Sequence, residues 1–215
     1  MHKITEIGME KDVLKENVRL AENNLRHLKA HGVKAIDVMG SIGSGKTALI
    51  MEMGKRLKAK GLRVAAIAGD VTGQDDYRRF KEVDIPAFNL NTGNECHLDA
   101  HLVEHALEDM ELDTIDVLFI ENVGNLVCPA DFPLGTDARV VVISITEGDD
   151  MVRKHPTIFL NSDMAVLNKI DLEPHLDVDV KVLENDYSRV TGKKLLKTSV
   201  KSGEGIDQAI QALGL

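Results

Sequence analysis

The chain has few of the residues on which nucleic-acid-binding proteins rely. Its 215 residues include no tryptophan, two tyrosines and five phenylalanines, which leaves little aromatic surface for stacking against bases. Lysine and arginine total 26 against 35 aspartates and glutamates, a net charge of -9, and no long basic run occurs. This acidic balance argues against nucleic acid or an anionic membrane as the main partner.

Long apolar runs are also missing. No stretch approaches the roughly 20 residues of a membrane-spanning helix, and no signal-peptide pattern opens the chain. We therefore expect a cytoplasmic protein, whose thiols stay reduced. In that compartment two cysteines, Cys96 and Cys128, are expected to be ligands or nucleophiles rather than a disulfide.

One contiguous stretch matches the phosphate-binding loop pattern G-x-x-x-x-G-K-[ST]. Glycines permit the close backbone approach and the unusual dihedrals with which N–H groups surround a polyphosphate. Lys46 would neutralise the β- and γ-phosphates, Thr47 would hold Mg²⁺ through its hydroxyl, and the helix that follows would direct its positive end at the anion. The stretch comprises Gly40, Ser41, Ile42, Gly43, Ser44, Gly45, Lys46 and Thr47.

Apolar runs alternate with segments of helical periodicity along the rest of the chain. Near-continuous apolar runs such as 62–68 are typical of parallel strands that are covered on both faces. The alternation predicts an α/β fold, a P-loop NTPase with a doubly wound, mostly parallel sheet flanked by helices. Strands are expected at 33–39, 62–68, 85–90, 116–121, 139–145, 164–169 and 194–198, with helices at 12–29, 97–110, 178–190 and 206–213 and one following the phosphate loop.

A second motif selects the nucleotide. Asn168, Lys169 and Asp171 match N-K-x-D at the end of a predicted strand. The Asp171 carboxylate can accept hydrogen bonds from guanine N1–H and the exocyclic amine, an arrangement that adenine does not offer. Lys169 can lay its stem against the base, and Asn168 can tie this loop to the phosphate loop. The stretch that would meet guanine O6 comprises Ser199, Val200 and Lys201.

Oxygen ligands at the same edge of the sheet predict a Mg²⁺ site. Mg²⁺ is typically held by a hydroxyl, carboxylates, phosphate oxygens and water. Thr47 supplies the hydroxyl, and Asp70 and Glu121 each end an apolar strand, where ligands of such sheets bind. Asp70 is alternatively a helix cap. Glu121 and Gly124 resemble the D-x-x-G switch of GTPases with glutamate in place of aspartate, so the Gly124 N–H would contact the γ-phosphate.

Catalysis in such a site depends chiefly on positioning and charge neutralisation. The expected participants are Lys46, Thr47 and Glu121, and no residue stands out as a base for the attacking water. Three further charged residues lie in connections that could face the nucleotide or a second protomer, and the sequence does not rank them: Asp75, Asp76 and Lys154.

The cysteines and neighbouring histidines indicate a second metal site. Cys96 and His97 precede a predicted helix, and Cys128 follows Glu121; both loops leave carboxyl ends of strands. Thiolate with imidazole suits zinc, nickel or copper. Three ligands are too few for a closed tetrahedral site, so a second protomer could complete it. A structural zinc and two buried unliganded thiols are the alternatives. His101 and His105 follow His97 at four and eight residues and would share its helical face.

The combination of GSIGSGKT, NKID, ENVGN, NTGNECHLDAHL and VCPADF resembles the HypB family, the SIMIBI-class P-loop GTPases that insert nickel during [NiFe]-hydrogenase maturation. The resemblance covers roughly residues 10 to 215, and its cysteine-bearing segments are the diagnostic ones. It implies GTP hydrolysis, nucleotide-responsive homodimerisation, and a low-affinity nickel or zinc site at the dimer interface, with His101 as a possible further ligand. It also implies a HypA-like zinc-containing partner and delivery of nickel to the hydrogenase large subunit.

These features divide the chain into an N-terminal helical extension, residues 1–32, packed on a GTPase domain, residues 33–215. Some relatives carry a cysteine-rich motif or a histidine tract before this domain, and nothing similar precedes Asp12 here, so the Cys/His site is expected to be the only nickel site. Three other functions remain open: a urease-type nickel GTPase, whose motif is Cys-Pro-His where this chain has Cys128, Pro129 and Ala130; a P-loop kinase with a structural zinc; and a signalling switch with an incidental metal.

Overall fold

The structure, a computed structural model, describes the backbone of residues 2–93 and 95–215 and, within those ranges, the side chains from residue 12 onward. Met1, part of the predicted extension, and Asn94, part of the NTGNECHLDAHL segment, lie outside the described residues.

Seven parallel strands form a single sheet in the order β3-β2-β4-β1-β5-β6-β7. β1 lies between β4 and β5, so the strand that leads into the phosphate loop is central. All pairings between the named strands are parallel, where the sequence predicts a mostly parallel sheet. The strands are β1 (Lys34–Gly40), β2 (Val64–Asp70), β3 (Ala87–Asn91), β4 (Val117–Glu121), β5 (Ala138–Ser144), β6 (Met164–Asn168) and β7 (Leu196–Lys197).

Helices cover both faces of the sheet. They are α1 (His2–Ala30), α2 (Lys46–Ala59), α3 (Asp75–Glu82), α4 (Ala100–Glu108), α5 (Met151–Lys154), α6 (Pro156–Leu160), α7 (Val180–Thr191) and α8 (Ile206–Ala212). Short 3₁₀ turns occupy Leu112–Thr114, Cys128–Asp131, Ile145–Glu147 and Ile170–His175. The doubly wound α/β fold predicted from the sequence is confirmed.

Side-chain alternation along the strands produces a core on each face of the sheet. On β1, Ile36 and Val38 face a cluster that includes α2 and α8, whereas Ala35 and Met39 face the opposite side. That opposite side carries α1 and α4 over one half of the sheet and α5, α6 and α7 over the other. These two layers hold the carboxyl ends of the strands in a fixed array, at which the predicted site residues lie.

The boundaries of α4 correct one expectation. The sequence places His97 in a helix from 97 to 110, but α4 begins at Ala100, because Asp99 caps it by accepting a hydrogen bond from Leu102 N at 2.8 Å. His97 therefore lies in the preceding loop and does not share a helical face with His101 and His105. β3 is an edge strand of the sheet, a position in which the preceding Pro86 is tolerated because it removes no interior hydrogen bond.

α1 contributes to the core of the fold. Leu28 is fully buried in the core against the sheet, and α1 packs along α4. Gly135, at φ +89°, lies so close that a Cβ there would fall 2.1 Å from the Ala21 carbonyl oxygen. None of the described helices is long and apolar enough to cross a membrane.

Candidate functional site

The phosphate loop lies between β1 and α2, with Gly43 and Gly45 at φ +77° and +96°. Those left-handed dihedrals let successive N–H groups converge, which is the geometry of an anion-binding concavity. The Lys46 ammonium folds over the loop and donates to the carbonyls of Gly40, at 3.3 Å, and Ser41, at 3.1 Å. Burial lowers the pKa of Lys46, although the nearby carboxylates, Glu121 and Asp76 first among them, act in the opposite direction.

The predicted base-recognition loop is tied to the phosphate loop. The Asn168 side-chain amide donates to the Ser44 carbonyl at 3.0 Å, and Lys169 Nζ donates to the Gly43 carbonyl at 2.6 Å. A Cβ at Gly45 would lie 2.4 Å from Asn168 Nδ2, so only glycine permits this approach. The two motifs, more than 120 residues apart in the chain, therefore form one continuous surface.

Asp171 and the stretch after β7 also meet. Asp171 Oδ1 accepts a hydrogen bond from Ser199 Oγ at 2.6 Å, and Lys201 Nζ lies 4.0 Å from Oδ2. Asn168 Oδ1 accepts from Thr198 Oγ1 at 3.1 Å, and the neighbouring Val200 packs against the core. The Asp171 carboxylate is thus held in one orientation at the rim of the sheet, as the recognition of a base edge requires.

Two carboxylates converge on Thr47. Its hydroxyl lies 2.9 Å from Glu121 Oε1 and 2.7 Å from Asp76 Oδ1. A hydroxyl has only one proton to donate, so it cannot satisfy both carboxylates. The sequence does not rank the charged residues Asp75, Asp76 and Lys154. Of these three, Asp76 is the one whose side chain contacts Thr47. Asp70, a predicted Mg²⁺ ligand, accepts from the N–H of Val71 at 2.6 Å. The alternative of a helix cap is wrong, because α3 begins at Asp75 and its N-cap is Gln74.

The residues present fit a divalent cation. Glu121 is almost completely buried, and among the described residues its Oε2 has no hydrogen-bond partner. Burial, followed by the nearby Asp76 carboxylate, raises the pKa of Glu121 to about 7. An unpartnered buried carboxylate oxygen beside a second carboxylate and a hydroxyl is the hard oxygen donor set that Mg²⁺ prefers. Thr47, Glu121 and Asp76 are therefore the candidate magnesium ligands.

The raised pKa of Glu121 predicts a pH-dependent stability of the metal-free chain. The carboxyl is protonated in both states below its ordinary pKa of 4.5, but in the folded protein it stays protonated up to about pH 7. Stability that is present below pH 4.5 is therefore lost as pH rises through 7, on the order of 3 kcal/mol from this group. Urea unfolding at pH 5 and pH 8 without magnesium will show this loss, and Glu121→Gln will remove it.

An exposed carboxyl provides the control for that measurement. Glu173→Gln neutralises a glutamate on the surface and should keep the wild-type pH slope. Equal slopes for the wild type and Glu121→Gln would mean that Glu121 does not titrate near neutrality.

The predicted switch segment runs along the phosphate loop. The N–H of Asn125 donates to the Gly40 carbonyl at 3.0 Å, and the N–H of Asn122 donates to Val38 at 3.0 Å. A Cβ at Gly124 would fall 2.3 Å from Ile42 Cγ1, so the glycine lets the two segments touch. The backbone of 121–125 is consequently within reach of whatever the phosphate loop binds.

Cys96, His97 and Cys128 form the candidate metal centre. Their ligand atoms all lie within 4.8 Å of one another, and in the described part of the chain no other group of three or more Cys, His, Asp or Glu is so placed. The sulfur atoms of Cys96 and Cys128 are 2.7 Å apart, and Cys96 Sγ is 3.9 Å from His97 Nδ1. Two sulfurs and an imidazole nitrogen suit nickel or zinc better than magnesium.

The protonation of these ligands couples metal binding to pH. The neighbouring Cys128 thiol, and then burial, raises the pKa of Cys96. Burial lowers the pKa of His97, whose ring packs at a tilt against Phe132 with centroids 3.9 Å apart; this favours the neutral imidazole that a metal binds. Binding by thiolates therefore releases protons.

His101 and His105 form a separate pair on α4. Their Nε2 atoms are 3.3 Å apart and both side chains are more than half exposed. The pair is not part of the Cys96 cluster, and a role for His101 as a further metal ligand stays a prediction.

The relationship to known proteins agrees with this geometry. Residues 34–197 match the model of a family described as CobW/HypB/UreG, nucleotide-binding domain. The chain is 51% identical over 212 residues to the probable hydrogenase maturation factor HypB of Methanocaldococcus jannaschii, covering 98% of this chain and 96% of that protein. The chain belongs to the HypB family.

Solved HypB structures share the fold over nearly the whole chain. HypB from Archaeoglobus fulgidus has a TM-score of 0.85 at 43% identity, covering 93% of this chain and 98% of that one. HypB from Helicobacter pylori in complex with nickel has a TM-score of 0.86 at 28% identity, covering 92% and 93%. This HypB-family chain is therefore a nucleotide-binding P-loop protein of the same architecture.

The structure gives a role to Asn125, to which the sequence assigned none. Asn125 donates its side-chain amide to the Cys96 carbonyl at 3.3 Å and accepts from Val127 N at 2.8 Å, while its own N–H contacts the phosphate loop. Its place in the ENVGN segment was the only available signal, because the contacts span almost 30 residues to Cys96 and more than 80 to Gly40.

Proposed function

We propose that this HypB-family chain is a GTP-hydrolysing metallochaperone that supplies nickel during [NiFe]-hydrogenase maturation. The observation that carries the proposal is the placement of one segment, 121–128, between the phosphate loop and the Cys96–His97–Cys128 cluster. The guanine-type motif at Asp171 supports GTP as the nucleotide, and the donor set supports nickel or zinc as the cargo.

Hydrolysis would proceed by attack of water on the γ-phosphorus, which breaks its bond to the β–γ bridging oxygen and releases GDP and phosphate. The phosphate-loop N–H groups and Lys46 would hold the β- and γ-phosphates, and the Gly124 N–H would contact the γ-phosphate. Magnesium held by Thr47, Glu121 and Asp76 would neutralise the phosphate charge. The chain's own contribution is positioning and charge, so slow turnover is expected without a partner.

Nucleotide state would reach the metal through Asn125. Loss of the γ-phosphate releases the contact at Gly124, and the adjacent Asn125 is hydrogen-bonded both to the Cys96 carbonyl and to the residue before Cys128. A shift of the segment would then alter the separation of the two sulfurs. Linkage requires that metal change nucleotide affinity by the same factor.

A second copy of the chain would complete the metal site. Three ligands leave a tetrahedral site open, and two apolar side chains near the nucleotide and metal loops face solvent, Ile42 at 85% and Val127 at 60% exposure. We infer that GTP-loaded chains pair through this face, with a HypA-like zinc protein and the hydrogenase large-subunit precursor as the other partners and the cytoplasm as the site of action.

Calorimetric titration of nickel in the presence of GDP or a non-hydrolysable GTP analogue tests the proposal. We expect affinities that differ by about tenfold between the two states, the range typical of coupled sites, and a smaller difference for Asn125→Ala. Equal affinities in both states would overturn the coupling. Nucleotide competition also separates the kinase alternative, which predicts poor discrimination between GTP and ATP.

A further inference from the structure

A buried charged pair links β1 and β5. Asp37 is fully buried near the middle of β1, and Arg139 occupies the position paired with it on β5. Arg139 Nε lies 3.4 Å from Asp37 Oδ2, and only 14% of the Arg139 side chain is exposed. The side chains that precede and follow Asp37 on its face of β1 are the apolar Ala35 and Met39.

The guanidinium of Arg139 holds the turn that begins at Cys128. It donates to the carbonyl of Pro129, and to the carbonyl of Ala130 at 3.3 Å. Asn161 adds a second hydrogen bond to the Ala130 carbonyl, from its side-chain amide at 3.2 Å. The two peptide groups that follow the Cys128 ligand are thus fixed to the sheet.

The Asp37 carboxylate extends the same network toward Cys96 through Asn122. The Asn122 amide donates to Asp37 Oδ1 at 3.2 Å, and its side-chain oxygen accepts from Leu98 N at 3.1 Å. Leu98 is two residues from Cys96, and Asn122 belongs to the switch segment. One buried network therefore touches β1, the switch segment and both cysteine-bearing segments.

Stability alone does not account for this arrangement. Removing two charges from water costs several kcal/mol for each ion, and apolar side chains of similar volume are often as stable as a buried pair. Burial raises the pKa of Asp37, which shows that desolvation outweighs the help from Arg139 and Asn122. A charged pair that is retained in an apolar face at this cost in free energy is expected to have a role other than stability. Its hydrogen bonds to both cysteine-bearing segments indicate what that role is.

We propose that Asp37, Arg139 and Asn122 are positioning residues for the metal centre, which set the separation of the Cys96 and Cys128 sulfurs relative to the phosphate-loop strand. The inference rests on the metal-binding part of the proposed function. The network fixes backbone groups within two residues of each cysteine, and hydrogen-bond partners behind the ligands orient them in metal sites.

The test replaces the pair by apolar residues of similar volume. The full chain carrying Asp37→Leu and Arg139→Met should stay folded and keep its GDP affinity, since no nucleotide contact is removed. Its nickel affinity, measured by competition with a chromogenic chelator, should fall by about tenfold or more. The thiolate-to-nickel charge-transfer absorption should shift or weaken, a change that a purely structural role would not produce.

Arg139→Lys provides a variant that keeps a positive charge beside Asp37. A lysine cannot reach Asp37 and the two carbonyls together, so the fold should survive while nickel binding weakens similarly. The matched control is Arg153→Met with Asp186→Leu, which removes another partly buried pair, between α5 and α7, whose described hydrogen bonds do not reach the cysteine-bearing segments.

The outcomes distinguish failure of the positioning role from failure of the proposed function. If the wild type binds nickel and folded Arg139→Lys or the double variant binds it with wild-type affinity and spectrum, the positioning role is refuted. If the control pair weakens nickel binding as much, the effect is one of general stability and the positioning role is again refuted. If the wild type binds no nickel at the cysteines, the proposed function itself fails.

Discussion

Asp171→Asn is expected to lower the affinity for GTP by about 10²- to 10⁴-fold while the fold is preserved. The carboxylate would accept hydrogen bonds from guanine N1–H and the exocyclic amine. An asparagine in the orientation held by Ser199 offers one acceptor and one N–H donor, so its N–H would face an N–H donor of guanine. Displacement of a fluorescent GDP analogue measures the loss.

The nature of the recognition can be checked by a matched nucleotide. Xanthosine triphosphate has a carbonyl where guanine has its amine, so it should bind Asp171→Asn better than it binds the wild type. Asp177→Asn, an exposed aspartate six residues along, is the control and should bind GTP normally. Wild-type GTP affinity in Asp171→Asn would remove the basis for the guanine assignment.

Cys96→Ala and Cys128→Ala are each expected to abolish stoichiometric nickel or zinc binding, a loss of about 100-fold or more, since each removes one of three ligands. GTP affinity should stay within about twofold of the wild type, because neither thiol contacts the nucleotide motifs. Metal retention after gel filtration, measured by elemental analysis, gives the stoichiometry. The thiols are at most partly buried, so little stability should be lost.

Two histidine variants complete that experiment. His155→Ala changes a partly buried histidine that is not in the Cys96–His97–Cys128 cluster and should retain metal. His101→Ala tests the possible further ligand beside His105. Stoichiometric binding in the Cys96→Ala, Cys128→Ala double variant would show that the site lies elsewhere, and the histidine pair on α4 would be the next candidate.

The phosphate loop could be predicted because its function is local. Eight contiguous residues, with glycines where left-handed dihedrals are required, predict an anion site without reference to the rest of the chain. The buried strands were predictable for a related reason, since a parallel strand covered on both faces requires a continuous apolar run. The N-K-x-D motif could be predicted in the same way, because it is short, contiguous and placed at the end of a strand.

Contacts that bridge distant segments could not be predicted in the same way. Asp76 stood beside Asp75 with nothing to separate them until α3 directed one carboxylate at Thr47. Periodicity predicts a helix that includes His97, because it does not reveal that Asp99 caps α4. Asp37 interrupts an apolar strand, but its partner lies about 100 residues away on β5.

By itself, the sequence determined the phosphate loop, the strand–helix alternation and the residue types available to a soft metal, because local geometry and side-chain chemistry require those residues at those spacings. Only the tertiary structure decided that Cys96 and Cys128 meet, that Asn125 joins them to the phosphate loop, and that Asp37 and Arg139 pair between β1 and β5. Strand order brings these groups together, and strand order depends on how the helices cover the sheet rather than on any single segment.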